Sequence, residues 1–330
     1  MPKILLTGPL NDYSNQVLSE FGDLVVASDT SESTLLQEID GAIALVVRGV
    51  PQISADVIHR SPDLQLIGRS GVGYGNIDIG AATARRIPVV YTPGAGARAV
   101  AEASLACMLA LTKKLLFWDR EMKAGNWQSR FEHQGGDLEG ATVGIVGLGR
   151  IGQLVAEMAR PFQMRVLAFD PFVDATAAAA VDAQLVDLDT LLAEADFICL
   201  HCAQTEENTG LINRERLAKV KPGAFLINLA RGGIIENLDV LHEALEEGRL
   251  GGVALDVFEP EPPDVSHKIF QSQRCLTAPH ALAGTHSAMA RIFKSMADDM
   301  AALFRGQRPR FVVNPEVLDG TPETTPSRGP

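Results

Sequence analysis

The chain has 330 residues, 46% of them hydrophobic and 21% charged, the balance of an ordinary globular protein long enough for two cores. Its formal net charge of −12, with no long Lys/Arg run, argues against nucleic acid as a partner, because phosphates would be repelled over most of such a surface. Four cysteines fit a reducing cytoplasm and not a disulfide framework.

At the N-terminus, Ile4-Leu5-Leu6 lacks the apolar length of a signal peptide and reads as a first strand. Ile4–Thr7, Leu24–Ala27, Ile43–Val47, Leu64–Gly68 and Val89–Tyr91 read as strands, with helices predicted at Ser14–Phe21, Glu32–Ile39, Ser54–Arg60 and Asp78–Arg86. That alternation predicts a parallel sheet covered by helices. A glycine cluster, Gly71-Val72-Gly73-Tyr74-Gly75, follows the fourth strand. No acid ends the next strand, where Val89-Val90-Tyr91-Thr92 stands, so the cluster suits a small carboxylate held by backbone N–H groups better than a dinucleotide.

One long helix is predicted from near Arg98 to about Lys123, connecting two α/β units. Its most apolar part, Ala99 to Leu111, carries Glu102 and stops at Lys113-Lys114, so it reads as a buried helix and not a membrane span. Gly125–Gly140 holds Trp127, Phe131 and His133 among polar residues without a period, and reads as an arm that meets a partner subunit. A second series then offers strands at Val143–Val146, Val166–Phe169, Phe197–Leu200, Phe225–Leu229, Val253–Leu255 and Cys275–Thr277. Their runs are apolar on both faces, as a parallel sheet between two helix layers requires. Cys199 and Cys202 form a C-x-x-C at a strand end and not at the opening of a helix, which argues against a redox pair. Thr285–Phe304 is again helical, and the last nine residues, rich in Thr, Pro and Ser, read as a disordered tail.

Gly147-Leu148-Gly149-Arg150-Ile151-Gly152 fits G-x-G-x-x-G, a weak pattern alone but a strong one between the strand Thr142–Val146 and a helix through Gln153–Ala159. The first glycine permits the turn, the second lets a pyrophosphate approach, and the third allows close helix–strand packing. The helix N-terminus, at Arg150 and Ile151, offers unpaired N–H groups to the anion. Asp170 ends the next strand at the distance of a ribose-binding acid; Pro171-Phe172 follow, with no arginine for a 2′-phosphate. NAD is therefore favoured over NADP.

Hydride transfer at a carbinol carbon needs an acid/base, a cation for a carboxylate and the C2 oxygen, and an aligned cofactor. Candidates stand at the ends of later strands, the edge where α/β sheets bind ligands. Arg231 lies in Asn228-Leu229-Ala230-Arg231-Gly232-Gly233, and its planar fork suits a carboxylate. Asp256 ends the next strand, Glu261 lies five residues on, and His280 ends Thr277-Ala278-Pro279-His280. A carboxylate bonded to a histidine fixes its tautomer, so Glu261 is placed to tune His280.

Together Gly147–Gly152 with Asp170, Asn228–Gly233, Asp256–Pro262 and Thr277–His280 resemble the D-isomer-specific 2-hydroxyacid dehydrogenase family, most nearly its phosphoglycerate and hydroxypyruvate/glyoxylate reductase branches. The likeness runs from Arg69-Ser70-Gly71-Val72-Gly73 to Val313-Asn314-Pro315-Glu316. It implies two Rossmann-like domains, each a doubly wound parallel sheet, with the active site in a cleft between them. Residues 1–97 plus 287–330 would form a discontinuous substrate domain and 98–286 the NAD-binding domain. Arg231 would bind the substrate carboxylate and carbonyl, and His280 would be the acid/base. Glu261, five positions after the aspartate, would be its partner in preference to Glu259. Asp256 would bond the nicotinamide carboxamide, Ala230 would line that site, and Gly71, Val72 and Gly73 would hold the substrate carboxylate. Members are commonly dimers through the nucleotide-binding domains.

Two departures bear on specificity. After His201 the family usually has a proline-containing turn where this chain has Cys202-Ala203-Gln204-Thr205, which puts Cys202 at the cofactor. After His280 a glycine-rich pattern is replaced by Ala281-Leu282-Ala283-Gly284-Thr285-His286. Arg48, at a strand end in the first unit, is a candidate for a substrate phosphate, and 330 residues leave no room for an appended regulatory domain. The reading is an NAD-dependent dehydrogenase of a small D-2-hydroxy acid, cytoplasmic and dimeric, with no metal. The alternatives are an NAD(H)-sensing corepressor-like protein of the same fold and a formate dehydrogenase-like enzyme.

Overall fold

A computed structural model describes residues 1–49 and 51–319; the expected tail at 322–330 lies outside the described residues. The chain divides into two compact units, Met1–Gly96 with Thr285–Pro330, and Ala97–Gly284.

The first unit is built on strands β1 (Lys3–Leu6), β2 (Asp23–Val26), β3 (Ala42–Val47), β4 (Leu66–Arg69) and β5 (Val89–Val90). All pair in parallel, in the order β2-β1-β3-β4-β5. Apart from the edge strand β2, whose Val25 and Val26 are exposed, the strands are apolar because both faces are covered. Leu35, Ile39, Val57, Ile58 and Ala82 pack on one face, and Leu18, Phe293, Met296 and Met300 on the other. Three helices start one residue later than the sequence expectation. Ser54, Asp78 and Thr285 stand outside Ala55–Arg60, Ile79–Ala84 and His286–Phe304 as N-caps, each side chain accepting an N–H of the first turn.

The second unit carries β6 (Thr142–Val146), β7 (Arg165–Phe169), β8 (Ala183–Leu185), β9 (Phe197–Leu200), β10 (Ala224–Asn228), β11 (Leu250–Leu255) and β12 (Cys275–Thr277). They form one parallel sheet in the order β12-β11-β10-β9-β6-β7-β8. Both sheets are doubly wound. The strand order reverses between β1 and β3 in the first and between β6 and β9 in the second, and such switch points open crevices for ligands at the carboxyl ends of the strands.

Two elements differ from the sequence expectation. Strand β8 escaped notice because an edge strand reading Ala-Gln-Leu has no apolar run to signal it. The expected helix Arg98–Lys123 is two helices, Ala97–Thr112 and Leu115–Lys123, because Lys114 takes a left-handed φ of 52°. The first helix is buried along one side, whereas the second buries none of its residues and exposes Leu115, Leu116 and Met122. In the following arm Trp127–Phe131 forms a 3-10 turn with the Arg130 guanidinium against the rings of Trp127 and Phe131. Among the described residues no helix is long and apolar enough to cross a membrane.

Candidate active site

The glycine loop after β6 lies at the switch point of the second sheet. Gly147 has φ of +97°, and a Cβ there would come within 2.5 Å of the Cys202 nitrogen, so the loop after β6 and the loop after β9 meet backbone to backbone. Gly149, by contrast, faces open space: nothing lies within 4 Å of where its Cβ would be. It is also the N-cap of the helix Arg150–Ala159 and has no side chain to satisfy the first turn. The N–H groups of Arg150 and Ile151 reach no acceptor among the described residues. An open surface with unpaired donors and the positive end of a helix dipole is what a pyrophosphate requires. The residues therefore fit a dinucleotide.

Asp170, just past β7, is drawn onto this loop. Its Oδ2 accepts the Leu148 N–H at 2.8 Å and its Oδ1 accepts the Phe172 N–H at 2.9 Å, which leaves lone pairs on both oxygens for hydroxyl donors. On the other side of the loop, His201 sits with Nε2 3.4 Å from the Ser104 hydroxyl and Nδ1 buried without a partner among the described residues. Burial pushes the His201 imidazole down to about 4. Burial also pushes the Cys202 thiol up, and holds Cys107 at about 11 and Cys275 at about 12. All four cysteines are free thiols.

Arg231, Glu261 and His280 follow three adjoining strands, β10, β11 and β12, at one edge of the same sheet. Asn228, fully buried at the end of β10, shapes the arginine's loop: its Oδ1 accepts the Ala230 N–H at 3.1 Å and its Nδ2 donates to the Arg231 carbonyl at 2.9 Å. Gly232 brings that loop onto the next one, since a Cβ there would overlap the Phe258 carbonyl. The Phe258 N–H in turn donates to Glu261 Oε1 at 3.0 Å, and Glu261 Oε2 lies 2.9 Å from His280 Nδ1. A chain of short contacts thus joins the arginine's loop to the histidine. His280 is half-exposed, and among the described residues its Nε2 has no partner. Asp256 is buried, with both oxygens accepting backbone N–H groups, and burial raises its carboxyl above the usual carboxylate range.

In the first unit the Gly71–Gly75 loop follows β4. Arg69 gathers its carbonyls, donating from Nε to Gly73 O at 2.7 Å and from Nη1 to Ser70 O at 2.9 Å. A trans peptide points its N–H opposite its C=O, so the Tyr74 N–H turns away from Arg69. The N–H groups of Val72, Gly73 and Tyr74 reach no acceptor among the described residues. Arg48 follows β3 at the switch point of this sheet, its Nη1 donating to Pro9 O at 2.7 Å and its guanidinium over the Phe293 ring. Sequence reasoning gave Asn228, His201 and Arg69 no role. Asn228 and Arg69 lay inside quoted motifs, and a polar residue closing an apolar strand was the available signal.

The family model of the D-isomer specific 2-hydroxyacid dehydrogenase NAD binding domain matches residues 105–281, a stretch that holds the glycine loop, Asp170, Arg231, Glu261 and His280. The chain belongs to the D-isomer-specific 2-hydroxyacid dehydrogenase family. It is 38% identical over 313 residues to a D-3-phosphoglycerate dehydrogenase of Archaeoglobus fulgidus, covering 94% of this chain and 59% of that one. A hydroxypyruvate reductase of Thermotoga maritima is 36% identical over 88% of this chain and 94% of its own. Among solved structures, a D-lactate dehydrogenase from Aquifex aeolicus complexed with NAD and lactic acid superposes with a TM-score of 0.82 at 27% identity, covering 97% of this chain and 98% of that one. The chain spans about three fifths of the length of the phosphoglycerate dehydrogenases it matches. The relatives it matches thus differ in the acid that each is named for.

Proposed function

We propose that the chain interconverts a small D-2-hydroxy acid and its 2-keto acid with NAD, and that His280 is the acid/base. The observation that carries this is the 2.9 Å contact between Glu261 Oε2 and His280 Nδ1 at the sheet edge that also bears Arg231. With Nδ1–H held by the carboxylate, Nε2 is left to exchange a proton with the C2 oxygen. Arg231 holds the substrate carboxylate and polarises that oxygen. NAD, when bound, supplies or takes the hydride. Gly147, Gly149, Arg150, Ile151 and Gly152 cradle its pyrophosphate, and Asp170 binds the ribose and repels a 2′-phosphate, which favours NAD over NADP. Cys202, Ala230 and Asp256 line the remainder of that site.

Residues 1–97 with 287–330 serve the substrate, and 98–286 the cofactor. The unpaired N–H groups of Val72 and Gly73 support a carboxylate site at Gly71–Gly73, and the place of Arg48 at a switch point supports a contact with a more distant anionic group of the substrate. The exposed Leu115, Leu116, Trp127 and Phe131 support a homodimer through this face. Four free thiols fit the cytoplasm.

NADH oxidation over a panel of glyoxylate, hydroxypyruvate and pyruvate, with oxidation of D- against L-2-hydroxy acids, tests the reading. His280→Ala should lower kcat by about 100-fold or more while NADH still binds. Normal turnover by that variant sinks the assignment of His280. Cofactor binding with no turnover on any acid points to an NAD(H) sensor.

A further inference from the structure

His280 has φ of +54°, a left-handed backbone that a residue with a Cβ keeps only where its surroundings hold it. The hold comes from the two residues after it. Ala281 donates its N–H to Asp256 Oδ1 at 2.8 Å, and Leu282 donates to Oδ2 at 3.1 Å and to Oδ1 at 3.4 Å. Successive N–H groups around such a turn form a concave nest for an anion. Here the anion is a side chain from the neighbouring strand end. That carboxylate is itself fixed, because Asp256 is only 4% exposed and donates its own N–H to the Asn228 carbonyl at 3.1 Å. The strands beneath are locked in register, with Leu255 opposite Thr277 and the Ala278 N–H donating to the Leu255 carbonyl at 2.9 Å.

Both oxygens of Asp256 are therefore turned onto the backbone that carries His280. We propose that Asp256 is the positioning residue for His280, its carboxylate closing the 280–282 nest and so setting the direction in which the imidazole is presented. Glu261 does the complementary work, fixing the rotation and tautomer of the ring. This duty is separate from any contact of Asp256 with a nicotinamide, and it rests on the reading of His280 as acid/base. Without the carboxylate, two N–H groups stay half-buried with no acceptor, and His280 relaxes towards a right-handed φ that swings its Cβ. Asparagine, the isosteric replacement, has one oxygen for one of these donors and points an NH2 at the other.

A double-mutant cycle tests this. In the wild-type background Asp256→Asn should lower kcat about 10- to 100-fold, the scale of a misplaced catalytic group. In the His280→Ala background the penalty of the same substitution should shrink at least about fivefold, because the part of it that acts through the ring is gone and only a contact with the cofactor could remain. A D256N penalty of equal size in both backgrounds, or none in either, overturns the proposal while leaving His280 as the acid/base. Wild-type turnover by H280A overturns both. A crystal structure of D256N that keeps the left-handed φ at His280 also overturns it. Should D256N not fold, Asp256→Ala passes through the same cycle, with thermal unfolding as the control for folding.

Discussion

Two glycine-rich loops follow parallel strands in this chain, and they present backbone N–H groups by different means. Gly71–Gly75 is followed by no helix for its first turns, and the cation of Arg69 collects its carbonyls so that its N–H groups turn outward. Gly147–Gly152 opens the helix Arg150–Ala159, and the anion of Asp170 holds one of its N–H groups while the helix end leaves others unpaired. A cation beneath a loop and a helix behind it are two routes to an anion site. The helix route comes with an acid, Asp170, at the next strand end, and the other does not. On the function proposed above, the helix-backed loop would take the dinucleotide and the arginine-backed loop a small carboxylate, although the two are nearly the same in composition.

The largest effect expected within this comparison is at the dinucleotide loop. Gly147→Ala combines a left-handed backbone with a Cβ 2.5 Å from the Cys202 nitrogen, so it should cost about 3 kcal/mol or more in urea unfolding. Gly149→Ala meets nothing within 4 Å, so its stability should match wild type while its NADH dissociation constant rises about 100-fold. Equal loss of stability in the two variants would break the distinction between a glycine kept for the turn and one kept for a ligand.

Close behind in size is the pH dependence of the same loop's support. His201 is held near 4 by burial, whereas in the unfolded chain it takes up a proton near its ordinary 6.5. Below 6.5 the unfolded state binds the extra proton, so stability falls as pH falls through the window from 6.5 to about 4, by about 3 kcal/mol at most. Urea unfolding at pH 7 and pH 4 should show this loss in wild type and not in His201→Gln; identical pH dependence in both would refute it. The smallest effect belongs to the other loop. Arg69→Ala should raise KM for the 2-keto acid about tenfold, the worth of a hydrogen bond to a charged group, with NADH affinity unchanged. A weaker NADH complex in that variant would place the cofactor on the wrong loop.

Most of the fold was legible because its signals are local. Mostly apolar runs of three to five residues marked eleven of the twelve strands, and the helices expected from Ser54, Asp78 and Thr285 start one residue later, with those side chains as caps. What was missed had no local signal. A three-residue edge strand at Ala183–Leu185 buries too little to need an apolar run, and the break at Lys114 falls in a Lys-Lys pair, a residue type that a continuing helix accepts readily. At the site, Arg231 and His280 were readable because each stands just past an apolar run, whereas Glu261 was picked out from Glu259 by the spacing of the family it resembles. The work of Asn228, Arg69 and Asp256 was not, because their partners are backbone groups, and any residue type supplies those.

By itself, the amino-acid sequence determined the order of the elements, the glycine turns and the inventory of groups able to move a proton, bind a carboxylate or meet a ribose. These follow from periodicity, turn chemistry and side-chain type, all of which act over a few residues. Only the tertiary structure decided that β9 lies beside β6, which sets Cys202 against Gly147, and that β11 lies beside β12. That second adjacency closes a buried carboxylate onto the turn of His280 twenty-five residues away. Strand order is settled by how whole helices cover both faces of a sheet, a balance of buried surface that no short stretch of sequence contains.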